Sequence, residues 1–421
     1  MFPDFPVEFN GLTQEAESTM QDFFIGRQPI FDRHMRVYAY ELLYRHGFVD
    51  RAVITDFDAA SSEVVVNALT ELGLDRIVGT RKAFCNFTRA FLLKGSQVPF
   101  STSQLVVEVL ETVTAEPEVI EAIQRLARGG HLIALDDFVL DDGLEPLVEL
   151  ADIIKIDVLE LSQDEVRSQV EKLRRIKKLK LLAEKVETNE DYMFCRRLGF
   201  DYFQGYFFSK PQVVSGRRLP PGRLAMLRLM TELQRPDIDL GKLEEIIETD
   251  VNLCVKLLRQ INSSFYSLLS EVKSIRQAII YLGLFHIRNW ACIVAMGSVD
   301  DKPQELMTMA LIRGKMCELL CTDDDAERKG MFFTVGLFSL LDSMFDSPMD
   351  EVLNNLPLAE EVKQALLLRQ GPLGTALECV EDYEKARWSE VADSGYEKDL
   401  VRDAYIEAIA WAQAVMDSLE A

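Results

Sequence analysis

The strongest constraint on this chain is a change of hydrophobic period near its middle. Up to about residue 209, short apolar runs alternate with amphipathic segments, and past residue 223 the apolar residues recur at helical spacing. The runs 23–30, 37–44, 83–87, 105–110, 132–136, 153–157, 180–184 and 202–207 read as strands. Segments between them, such as 117–128, 144–150 and 163–176, read as helices. Strand–helix alternation of this length implies a mostly parallel sheet, either open or closed into a barrel.

The second half is different in kind. "DVNLCVKLLRQINSS" places Leu253, Leu257, Leu258 and Ile261 on one helical face, and "SIRQAIIYLG" begins at a suitable N-cap, Ser274, and stops at Gly283. An all-helical domain is expected there. The stretch "KPQVVSGRRLPPGR" between the halves holds three prolines, two glycines and four basic residues, and periodicity lapses in it. The expected division is a leader over 1–21, an α/β domain over 22–211, a linker over 212–223 and a helical domain over 224–421.

Composition narrows the function. A chain of 421 residues, 48% hydrophobic, is long enough for two cores. Its net charge of −23 opposes general nucleic-acid binding and docking on anionic lipid, both of which need clustered Lys and Arg. The first residues carry neither a basic nor an apolar signal-like region. The most apolar later stretch, 281–296, is interrupted by His286, Arg288 and Asn289, so no membrane span is expected. Seven scattered cysteines without a CxxC pair read as buried or free thiols, and a cytoplasmic location is expected. No internal repeat or low-complexity segment is evident.

Polar residues of the first half gather at the ends of the strand-like runs. Glu41 and Arg45 lie in "YELLYR", Asn86 in "AFCNF", Glu108 in "LVVEVLE", Asp136 and Asp137 in "LIALDD", Lys155 in "DIIKID", Glu184 in "LLAEKVE" and Gln204 in "FDYFQGY". In a parallel barrel these strand ends share the C-terminal face, where active sites are built. Carboxylates and an amide oxygen without His or Cys are hard ligands, suited to Mg²⁺, Mn²⁺ or Ca²⁺ rather than Zn²⁺. Two such ions hold a phosphate and activate a water for in-line attack. Each residue alone has a plainer reading: a strand-end Glu is usually solvated, Lys155 would suit Asp157 or Asp152, and Gln204 would cap a loop. Separate explanations at seven strand ends are less economical than one site.

The motifs "ELLYR", "CNFT", "EVLE", "LDDF", "KID", "AEKVE" and "QGYFFSKP", in this order, resemble the EAL domain of cyclic di-GMP phosphodiesterases. That family reads ExLxR, Asn, ExxE, DDF, KxD, AExVE and QGY, and the match covers about residues 23–211. The resemblance implies a modified TIM-type (β/α)₈ barrel. It also implies metal ligation by Glu41, Asn86, Glu108, Asp136, Asp137 and Glu184, with Mg²⁺ or Mn²⁺ as two ions. Lys155 and Gln204 resemble the residues that orient water and site, Glu187 a further site carboxylate, and Arg45 the arginine on a substrate phosphate. Two departures stand out. The family's Gly-rich GxGxSS-type loop after DDF, which supports dimerisation, is "VLDDGL" here, so that Glu111, which matches the brace of that loop, faces a changed partner. The family's AEG glycine is Lys185.

The second half is similar to the HDOD domain, a helical relative of metal-dependent HD phosphohydrolases. Only His286 of the four histidines lies beyond residue 200, too few for an HD-type metal site. The resemblance therefore implies regulation or binding of a protein partner. Cys317 and Cys321 read as buried thiols, and Asp323-Asp324-Asp325 as a solvated loop. The whole chain resembles the EAL–HDOD (YuxH-like) bacterial signalling proteins. The expected function is metal-dependent hydrolysis of cyclic di-GMP to pGpG; the alternative is a cyclic di-GMP receptor without turnover that acts through protein contacts. A homodimer is compatible with either.

Overall fold

The computed structural model describes residues 23–46, 73–94, 101–140, 143–209, 221–235, 238–249, 251–262, 272–297 and 302–420. The leader expected over 1–21, residues 210–211 at the end of the expected α/β domain, 212–220 of the expected linker, and Asp141-Asp142 of the loop after Asp137 lie outside these. The helix Pro221–Leu233 begins within the stretch expected as linker. The chain divides into two compact units, one running through Phe208 and taking in Glu384–Ser389, the other holding Ser209–Tyr383 and the residues from Glu390 on.

The first unit is a closed barrel of eight strands in sequence order. They are β1 (Phe23–Asp32), β2 (Val37–His46), β3 (Lys82–Phe87), β4 (Leu105–Val109), β5 (Leu132–Leu135), β6 (Ile153–Asp157), β7 (Lys180–Glu184) and β8 (Tyr202–Gln204). All eight expected strands form. The last is shorter than expected, because Gly205 turns the chain and Tyr206–Ser209 coils into a 3₁₀ turn.

The pairings from β2 to β8 are parallel, whereas β1 runs antiparallel to both β2 and β8. The cause is the short connection after β1. The turn 33–36 closes by Met35 N–H donating to Asp32 O (3.0 Å), with Met35 in the left-handed region at φ 59°. So few residues cannot carry a parallel crossover, so β2 must return as a hairpin. This reversal is what modifies the (β/α)₈ plan.

Helices between the strands start and stop on local chemistry. Gln163–Ile176 opens on a reciprocal capping box, Ser162 with Glu165. Asn189–Leu198 opens on Thr188, which accepts from Asp191 N–H, and closes at Gly199 at φ 88°. Pro117–Arg128 has proline in its first turn and Arg125 and Arg128 in its last.

The second unit is helical throughout its described residues, from Pro221–Leu233 to Lys398–Glu420. Its central helix, Gln304–Leu320, is buried on nearly every side and packs against Ala326–Phe338 and Lys398–Glu420. Such all-round burial leaves no amphipathic period to read, which is expected of a core helix. No described helix is long and apolar enough to cross a membrane. All seven cysteines are free, six of them buried.

Candidate active site

The barrel interior places the site by strand period. Ile30, Ala39, Phe84, Val106, Ala134, Ile153 and Leu182 form one buried apolar cluster. Two residues further along the parallel strands, on the same face, stand Glu41, Asn86, Glu108, Asp136, Lys155 and Glu184. Tyr202, packed against that cluster, is likewise followed by Gln204. An apolar layer thus plugs the barrel, and a polar layer lies directly above it at the C-terminal ends of the strands. The register agrees: Asn86 is paired with Glu108, Glu41 with Gln28, and Asp157 with Glu184.

Lys155 is the centre of the polar layer and is fully buried. Its ammonium donates to Glu41 Oε2 (3.2 Å), Asp136 Oδ1 (2.7 Å) and Glu108 Oε1, and lies 2.8 Å from Glu184 Oε1. The plainer reading of Lys155 as a partner of Asp157 or Asp152 does not hold. Gln204 donates from Nε2 to Glu41 Oε2 (2.6 Å) and to Gln28 Oε1 (3.1 Å), which fixes the Glu41 carboxylate from the other side.

One ammonium among four carboxylates leaves excess negative charge in a place water scarcely reaches. Burial, reinforced by Glu41 and Asp136 against the relief from Lys155, holds Glu108 well above the usual carboxylate range. Burial likewise pushes Glu184 up to about 8, with Asp136 and Glu41 adding to it and Lys155 opposing. For Lys155, burial works against the charge, but Glu108, Glu41, Glu184 and Asp136 overcome it and hold the ammonium well above its ordinary value.

At the mouth, oxygens of Asp136, Asp137 and Glu184 all lie within 4.8 Å of one another. Asp137 reaches this position from the left-handed region, φ 40°. The arrangement fits a divalent cation on its own evidence. Glu108 Oε2, Glu184 Oε2 and Gln204 Oε1 are buried with no hydrogen-bond partner, a costly state that an ion would relieve. The donors are all hard oxygens.

The other expected site residues fall in several places. Asn86 is half-buried beside Glu108, while Glu187 and Glu111 are exposed beyond the ends of β7 and β4, outside the buried cluster. Arg45 stands opposite Phe24 in the β1–β2 ladder, and its side chain lies outside the described residues. In the loop after Asp137, Val139 is 48% exposed and Leu140 N–H donates to Gln169 Oε1 (3.1 Å). Near the site, Gln28 and Asp157 were not proposed as site residues from sequence, and Lys185 was marked there only as standing where the family has glycine. Lys185 donates to Asp157 Oδ2 and lies 3.8 Å from Asp137 Oδ2. Gln28 carried no signal, whereas Asp157 sits in the same "KID" run as Lys155.

In the helical unit, burial pushes His286 down to about 4. Among the described residues, the one carboxylate, His or Cys group with metal-like spacing is the barrel trio.

The family model described as EAL domain matches residues 79–211, and the one described as HDOD domain matches 219–345. The protein named cyclic di-GMP phosphodiesterase CdgJ, from Vibrio cholerae, is 33% identical over 410 residues, covering 96% of this chain and 95% of that protein. YuxH of Bacillus subtilis, described as uncharacterized, is 34% identical over 406 residues, covering 94% and 99%. Among solved structures, Bacillus subtilis YkuI, with an EAL domain and in complex with c-di-GMP and calcium, matches at 20% identity and a TM-score of 0.38 over 56% of this chain and 74% of that one. The Klebsiella pneumoniae BlrP1 calcium/cy-diGMP complex matches at 24% identity and a TM-score of 0.37, over 46% and 56%.

Proposed function

This chain belongs to the EAL–HDOD family of cyclic di-GMP signalling proteins, and from that premise we propose that its barrel hydrolyses cyclic di-GMP to linear pGpG with divalent metal. The observation that carries the reading is the buried Lys155 shared by four carboxylates at the barrel mouth, with Glu108 Oε2 and Glu184 Oε2 left unsatisfied. A purely structural ion pair would need one carboxylate, not four.

Glu41, Asn86, Glu108, Asp136, Asp137 and Glu184 would hold two ions, Mg²⁺ or Mn²⁺. When bound, the ions supply charge stabilisation at the phosphate and acidify a water. Lys155 converges Glu41, Asp136 and Glu184 on one point and, as a donor-only group, orients the attacking water. Gln204 holds Glu41 in that geometry, and Arg45 takes a phosphate oxygen. The water oxygen bonds to phosphorus, and the bond from phosphorus to the 3′ oxygen breaks. The water's proton leaves through the carboxylate cluster, in which Glu184 takes part, with Glu187 as a further carboxylate beyond the end of β7, and the 3′ oxygen gains a proton. The helical unit binds a protein partner or regulates the barrel, the protein acts in the cytoplasm, and a homodimer is its assembled form.

The test is chromatography of the products made by chelator-treated full-length chain given Mg²⁺ or Mn²⁺. Wild type is expected to form pGpG, and Glu41→Ala and Lys155→Ala to form none. Binding of cyclic di-GMP with no product under either ion would replace this reading with that of a receptor, as the altered loop from Val139 to Leu144 would then imply.

A further inference from the structure

Lys185 is out of place by ordinary backbone preference. It follows Glu184 directly and occupies the left-handed region at φ 53°, where glycine would sit without strain. The neighbouring backbone enforces this. Glu184 O accepts from Val158 N–H (3.3 Å), Val186 N–H donates to Gln204 O (2.9 Å), and Phe207 N–H donates to Val186 O (3.2 Å). A long cationic side chain therefore stands where the turn favours none.

The side chain has a definite destination. Its ammonium donates to Asp157 Oδ2 and lies 3.8 Å from Asp137 Oδ2, at the edge of the Asp136–Asp137–Glu184 trio. Asp157 is itself fixed, accepting from Leu159 N–H (2.8 Å) and Glu160 N–H (3.1 Å). The lysine side chain is 47% exposed, so its charge acts through solvent and not through a dry core. We propose that Lys185 is a tethered cation that lowers the affinity of the site for a divalent ion at Asp137. Asp157 keeps it beside the trio without letting it replace the ion outright. This rests on the reading that the trio holds metal.

The effect can be sized. An ion bound at Asp137 would lie on the order of 5 Å from the ammonium, and a double against a single positive charge at that distance in water changes affinity on the order of tenfold. The test is calorimetric titration of Mn²⁺ into the chelator-treated full-length chain, comparing wild type, Lys185→Met and Lys185→Arg. Lys185→Met is expected to bind one ion about tenfold more tightly than wild type, while Lys185→Arg keeps the wild-type affinity. Lys185→Gly, which suits the positive φ, removes the same charge should methionine disturb the turn. Equal affinity in wild type and the neutral variants would overturn the proposal, as would equal tightening in Lys185→Arg. Absence of Mn²⁺ binding in every protein would instead remove the metal reading on which the proposal rests.

Discussion

Replacing Lys155 by Met removes the ammonium that Glu41, Glu108, Asp136 and Glu184 share, while nearly keeping its volume. The cost is therefore electrostatic. Taking one partner from a buried ion pair costs about 3–5 kcal/mol. The lower end, about 3 kcal/mol, is expected here, because burial already favours the neutral form of Glu108 and Glu184 and they can take up protons. For a unit of this size, each kcal/mol moves the midpoint roughly 2–4 °C, so a fall of about 6–12 °C follows. Scanning calorimetry of the chelator-treated chain measures it, with the barrel transition identified as the one that Mn²⁺ displaces.

A pH dependence gives the same reasoning a second reading. Glu184 titrates at about 8 in the folded chain against an ordinary 4.5, so the folded state binds the extra proton between those values. Its contribution to metal-free stability is full below 4.5 and is lost as pH rises through about 8. Without Lys155 the carboxylates repel more strongly, so the deficit of the variant should be larger at high pH than at low pH. A variant as stable as wild type without metal, or a deficit that grows as pH falls, would refute the argument.

Asp136→Asn should weaken Mn²⁺ binding at least about tenfold by calorimetry with the circular dichroism of the fold unchanged, since it deletes ligand charge while relieving repulsion. Gly205→Ala should lower the unfolding free energy of the barrel, measured by urea denaturation, by more than about 2 kcal/mol, because its new Cβ would stand 2.1 Å from Val186 O at a φ of 143°. Gln204→Ala should reduce pGpG formation about tenfold while moving the barrel midpoint by no more than a few degrees, as Glu41 loses the amide that orients it.

Much of the barrel was legible because burial on both faces turns strands into short apolar runs, and those runs survive in the sequence from Phe23 to Phe203. The direction of β1 was not, since a period of two carries no sense along the chain. The clue lay in the gap between Ile30 and Val37, too short for a crossover. The polar layer was legible for a related reason: Glu41, Asn86, Glu108, Asp136, Lys155 and Glu184 each stand two residues past an apolar plug residue. The convergence of Glu41, Glu108, Asp136 and Glu184 on Lys155 was not, because no sequence spacing reveals which strand ends meet across a barrel. The position of Lys185 was marked by its departure from the family's glycine, but its reach to Asp157 and Asp137 was not, because sequence does not show where a side chain at a positive φ is aimed. The helix Gln304–Leu320 shows the opposite limit, being so buried that its faces are indistinguishable in sequence.

The most direct measurement is turnover in ¹⁸O-labelled water. The chelator-treated full-length chain is given cyclic di-GMP, first alone and then with Mn²⁺, and the products are weighed by mass spectrometry. Attack by water on phosphorus at the Lys155 cluster predicts no product without metal and, with Mn²⁺, pGpG carrying one ¹⁸O in its 5′-phosphate. Tight binding of cyclic di-GMP with no pGpG, or pGpG free of label, would contradict the account.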